Sequence, residues 1–128
     1  MDEKFDEVLS GNDIYVFGYP SSIGLKNQPQ IDYQKPLIRQ GIISSTNDSN
    51  KTIILDCFVF PGNSGGPVVQ AEWTRLGQRS FSIIGVISEF IPITETWFNE
   101  NFKYRNLQMY NSGYSVAVPI DMILELIN

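Results

Sequence analysis

Ser64 stands at the centre of Pro61-Gly62-Asn63-Ser64-Gly65-Gly66-Pro67, with three glycines around one hydroxyl and the apolar pair Val68-Val69 directly after. Glycine removes the side chain where a backbone must turn sharply or lie close to a ligand. At such a turn the hydroxyl would be presented at the apex, and the neighbouring backbone N–H groups could converge on one point. A nucleophile beside donors aimed at a developing oxyanion is what acyl transfer needs. The other nucleophile, Cys57, has nothing in the sequence that places a base beside it and reads as a small buried hydrophobe. A lone cysteine cannot form an internal disulfide or build a zinc site by itself, and no metal or cofactor is implied. None of the 128 residues is histidine. Every mechanism in which this chain alone supplies an imidazole as base, acid or metal ligand is therefore excluded. A Ser–Lys pair would need Lys26, Lys35, Lys51 or Lys103 as its base, but all four fall in apparent loops or turns and nothing marks one as buried.

The elements that must hold this segment read as short strands. Ile and Val total 24, against 8 Leu and 2 Ala, a balance that suits pleated sheet over helix. Strands are predicted at 14–18, 37–44, 52–57, 67–73, 81–89 and 113–118, with Gly41 a bulge or point of close approach. Thr46–Lys51 is a turn rich in Asn, Asp and Ser. Phe5, Val8 and Leu9 suggest a short helix or turn at the start. At the other end, Ile120, Ile123, Leu124 and Ile127 recur at helical spacing after Pro119, giving one apolar helix face. The stretch 90–112 reads as a long connection whose aromatics, Trp97, Phe98, Phe102 and Tyr104, pack on the body. The expectation is an all-β single domain over residues 1–128: a six-stranded antiparallel Greek-key barrel with a C-terminal α-helix.

Charge narrows the partners. Nine Lys and Arg against 14 Asp and Glu leave a net charge of −5, and there is no basic block, which argues against nucleic acid. The longest apolar runs are a few residues, too short for a membrane-spanning helix. The N-terminus is acidic and shows no secretory signal, which favours the cytoplasm.

Gly-Asn-Ser-Gly-Gly-Pro at residues 62–67 resembles the nucleophile motif of trypsin-like (chymotrypsin-fold) serine peptidases, in the Asn-containing form of bacterial Deg-type and glutamyl-endopeptidase-like branches. Further matches follow in family order. Ile14–Pro20 looks like the opening strand of the C-terminal barrel, and Arg39–Ser44 like the Gly-Ile-Val-Ser strand after it. Ile54–Cys57 resembles the Gln-Thr-Asp-Ala stretch before the serine. Ile84–Ser88 is similar to the strand after it, and Gly113–Pro119 with the final helix to the family's ending.

The resemblance implies Ser64 as nucleophile and the N–H groups of Gly62 and Ser64 as the oxyanion hole. It implies a substrate pocket walled by Asp56, Phe58, Phe60, Ser88, Glu89, Phe90, Gly113 and Ser115, with Ser88–Phe90 also an edge for pairing an extended peptide or protein substrate. A family member has two barrels, the first supplying His and Asp. This chain resembles only the second, so the N-terminal barrel of the same parent protein becomes an expected partner and the isolated chain is expected to be inactive. The alternative is a non-catalytic peptide- or protein-binding module kept as a natural half-protein. For Asp56 the competing reading is an acid satisfied by turn amides. For the aromatics of 97–110 it is a partner surface, or a patch that once covered the first barrel and now favours self-association.

Overall fold

The computed structural model of the chain describes residues 4–20, 25–59 and 63–127. Six strands run β1 (Asp13–Gly18), β2 (Leu37–Asn47), β3 (Thr52–Asp56), β4 (Pro67–Trp73), β5 (Arg79–Asn99) and β6 (Tyr104–Pro119), followed by helix α1 (Ile120–Ile127). A single 3₁₀ turn, Phe5–Glu7, precedes them, where the sequence predicts a short helix or turn.

The strands close into an antiparallel barrel in the order β1-β2-β3-β6-β5-β4, with β4 returning to β1. Strands β1 to β3 form a meander. β4 then crosses the barrel end rather than pairing with β3, and β6 inserts between β5 and β3. This is the Greek-key closure expected, and closing the ring leaves no edge in the barrel body. The β2–β3 turn forms at the predicted Asn/Asp/Ser cluster, where the Asn50 N–H donates to Asn47 Oδ1 at 3.1 Å.

Alternation sends one side of each strand inward. Ile14 and Val16 of β1, Ile43 of β2, Ile53 and Leu55 of β3, Val68 of β4, Ile84 and Ile87 of β5 and Ala117 of β6 fill the interior. Phe5 and Val8 from the N-terminal turn join that core, and the Phe5 N–H donates to Asp121 Oδ2 at 3.3 Å, tying the turn to α1. Gln70 is fully buried among these apolar side chains. It survives there because Oε1 accepts from Asn12 Nδ2 at 3.2 Å and Nε2 donates to Glu72 Oε1 at 3.2 Å.

One expectation fails. Residues 90–112 are not a connection folded onto the body. They extend β5 and β6 into a two-stranded ribbon, paired from Pro92↔Asn111 to Asn99↔Tyr104. Its turn is closed by Asn99 Oδ1, which accepts the N–H groups of Asn101 and Phe102. Trp97, Phe98 and Phe102 are exposed on it rather than anchored. Pro92 and two register shifts break the period-2 pattern by which a strand is recognised, whereas the Thr, Ile, Trp and Phe content suits a pleated strand.

Gly41 of β2 lies close against the end of β3. A Cβ there would overlap the Asp56 carbonyl oxygen and lie 2.8 Å from Cys57 Cβ. Gly41→Ala is expected to cost about 1–3 kcal/mol through overpacking, read as a lower urea midpoint with an unchanged slope.

Candidate active site

The Greek-key crossing from β3 to β4 carries Ser64. Gly66 N–H donates to the Asn63 carbonyl at 2.9 Å, closing a four-residue turn. Gly65, third in that turn, has φ of +84°, a conformation in which a side chain would be strained. Two further backbone bonds clamp the turn to β5: Gly65 N–H to the Ile87 carbonyl at 2.8 Å, and Ile87 N–H to the Gly66 carbonyl at 2.9 Å. Gly65 and Gly66 therefore form the sharp turn expected of this segment. Ser64 is exposed at the apex, and its hydroxyl donates to the Ser88 carbonyl oxygen at 3.0 Å.

A cleft of about 430 Å³ opens beside it, between Phe17–Tyr19 and Pro36 on one side and Asn63–Pro67 on the other. A second, of about 390 Å³, lies among Val16, Gly18, Leu37–Gln40, Phe58 and Asn63. Asn63 lines both and is itself buried. Phe17, Tyr19 and Pro36 were not among the expected site residues. The Gly18-Tyr19-Pro20 punctuation reads only as a strand end, and nothing local shows that it faces the crossing.

The expected pocket residues come from three chain segments, and β6 gathers those that are described. Ser115 pairs with Leu55 of β3 on one side and Phe90 of β5 on the other, and Tyr114 pairs with Asp56. Cys57 N–H donates to the Gly113 carbonyl at 3.1 Å. The Phe58 ring rests against Gly113, 3.5 Å from where a Cβ would stand. Asp56, Phe58, Ser88 and Glu89 are exposed, Phe90 is partly exposed, and Gly113 and Ser115 are buried. Phe60 and Gly62 lie outside the described residues. Asn111, a residue the sequence did not flag, stitches this corner: Nδ2 donates to the Val59 carbonyl at 2.7 Å, and Oδ1 accepts from the Gly113 N–H at 2.9 Å. Asn two residues before a glycine is the only local signal that could have pointed to it.

The four lysines weighed as bases are all exposed, as their place in loops and turns suggests. Lys35 approaches Asp32 at 4.0 Å, and Lys51 lies 5.0 Å from the Phe5 ring centroid. Cys57 is a buried core residue, as expected. Burial pushes its thiol above the ordinary value, with Arg39 opposing and Asp56 reinforcing the shift. The thiolate is thus disfavoured, the reverse of what a nucleophilic cysteine requires.

Two predictions follow from these environments. The Ser115 hydroxyl is buried without a hydrogen-bond partner. Ser115→Ala should therefore leave thermal stability unchanged or slightly raised, since it removes an unpaired polar group. For Cys57, a folded-state value raised above the unfolded one means that the unfolded chain ionises first. The stability this residue contributes is then present below pH 9.0, its ordinary value, and fades as pH rises past it. The stability difference between the wild type and Cys57→Ala should shrink between about pH 8 and pH 10 in paired urea titrations.

The family model of the trypsin-like peptidase domain matches residues 3–77, which span β1 to β4 and the whole Ser64 crossing. No curated protein matches the chain. With a match over more than half its length, laid on a closed six-stranded barrel, the chain belongs to the trypsin-like peptidase domain family.

Proposed function

We propose that this chain is the C-terminal, nucleophile-bearing half of a serine endopeptidase, of the bacterial Deg or glutamyl-endopeptidase-like branch, with Ser64 as nucleophile. The observation that carries the reading is the Ser64 elbow. A single exposed hydroxyl sits at the apex of a turn clamped to β5, on a barrel of the peptidase family. In this reading the N–H groups of Gly62 and Ser64 receive the oxyanion, and attack of Ser64 Oγ on a peptide carbonyl forms an acyl-enzyme while the amine departs.

The proton of Ser64 is the constraint on that chemistry. It is shared with the Ser88 carbonyl, an acceptor far too weak to remove it. With no histidine in the chain, the base must come from an N-terminal barrel of the parent protein, together with an acid that orients it. The same two facts favour a second reading, a peptide-binding module in which Ser64 is a structural donor. On either reading the Ser88–Phe90 segment, exposed at Ser88 and Glu89, is the edge on which a peptide pairs.

A fluorophosphonate probe separates the two when applied to the full-length gene product. Labelling that disappears in Ser64→Ala supports the peptidase, whereas a folded protein that never labels supports the module. The isolated 128-residue chain should cleave peptides slower than a complete triad by a factor on the order of 10⁶, measured with a fluorogenic peptide substrate.

A further inference from the structure

We infer that the cavity behind Asn63, at the end of the barrel, is a binding site for a carboxylate carried on an apolar body, with the Arg39 guanidinium as its charge partner, and that its occupant steadies the Ser64 turn through Asn63. The binding site stands without the reading above; only its effect on a nucleophile rests on that reading.

About 390 Å³ lie between the end of β1, the start of β2, Phe58 and Asn63, a volume within the range of small-molecule sites. Val16, Leu37 and Phe58 give the cavity apolar walls, and Arg39 is the one charged residue among the described residues that line it. Strand alternation explains why the charge is there. Arg39 shares its face of β2 with the core residue Ile43 and stands opposite the core residue Val16 of β1. It is exposed, so a ligand reaches it. Asp56, which opposes Arg39 in its effect on the Cys57 thiol, pairs with Ile42 on the other face of the sheet. The cation and that carboxylate therefore leave the sheet on opposite sides.

A guanidinium beside apolar walls selects the occupant. A carboxylate meets its planar fork in two parallel hydrogen bonds, while an apolar body covers Val16, Leu37 and Phe58. A cationic ligand would face like charge, and an uncharged one would desolvate the guanidinium without compensation. Asn63 links the cavity to Ser64. It is buried, and it lines both this cavity and the cleft beside Ser64. Its carbonyl accepts the Gly66 N–H that closes the turn. A ligand packed against Asn63 therefore restrains the residue from which the turn starts. A small free acid and the last residue of a polypeptide both carry this carboxylate chemistry.

The test titrates the isotopically labelled chain with phenylbutyrate, phenylbutanol and phenylbutylamine, followed by amide correlation spectra. Phenylbutyrate should shift the Gly18, Arg39 and Asn63 signals to saturation. It should bind at least about tenfold tighter than the alcohol or the amine, because it alone forms a charge-assisted pair. Arg39→Gln should erase that preference. Leu37→Trp, which fills the cavity and leaves the charge in place, should abolish binding of the acid. No saturable shift, equal binding of acid and alcohol, or a preference that survives Arg39→Gln overturns the inference. If a variant fails to fold by circular dichroism, the comparison of the three probes on the wild type decides alone. N-acetyl-Leu-Phe separates the sources: binding tighter than phenylbutyrate, and lost in its amide, assigns the site to a polypeptide carboxy-terminus, and weaker binding assigns it to a small free acid. Saturating phenylbutyrate should also slow hydrogen exchange of the Gly66 N–H by about tenfold, and an unchanged rate overturns the coupling to the turn. Fluorophosphonate labelling of the full-length product is read separately. A protein that never labels yet binds the acid through Arg39 keeps the site and loses the peptidase reading, and the reverse result keeps the peptidase and loses the site.

Discussion

Two backbone hydrogen bonds between the glycine turn and Ile87 organise the rest of the molecule. They fasten the crossing of the barrel end to β5 just where β4 stops pairing with it. On one side of this clamp the Ser64 hydroxyl is set against the Ser88 carbonyl. On the other, β5 is released from β4 and runs on paired, among the described residues, with β6 alone. The turn can be so tight only because Gly65 takes a positive φ that other residues resist. The same residues thus hold an exposed hydroxyl at an apex and a strand edge beside it.

The barrel supplies stiffness to this arrangement. Ile87 is buried in the core cluster with Ile14, Ile84 and Val68, so the backbone atoms that clamp the turn belong to a strand that cannot shift without disturbing the interior. Asn111 performs a parallel service on the pocket side, joining the Val59 carbonyl to the Gly113 N–H across two chain segments. What the chain lacks is an imidazole. Lys26, Lys35, Lys51 and Lys103 are exposed, and Cys57 is buried with a disfavoured thiolate.

Local signals were readable where the physics is local. The Ser64 turn showed as a cluster of glycines, the β2–β3 hairpin as Asn, Asp and Ser, and α1 as an i, i+3, i+4, i+7 row. Six strands were legible because β-branched residues dominate and turn residues punctuate them. The outer halves of β5 and β6 were not, since Pro92 and the register shifts hide a pairing whose register, from Pro92↔Asn111 to Asn99↔Tyr104, no short window shows.

By itself the sequence determined which residues are able to turn, which suit strands, and that no imidazole is present, because those properties belong to single residues or short windows. The tertiary structure decided that Asp56, Phe90 and Ser115 meet on β6, that Gln70 is buried with its partners Asn12 and Glu72, and that Phe17 and Pro36 face Ser64 across a cleft. In a closed Greek-key ring the spatial neighbours are not the sequence neighbours. β6 lies between β3 and β5, and β4 beside β1, so the contacts that bring these segments together are hydrogen bonds and packing between stretches far apart in the chain.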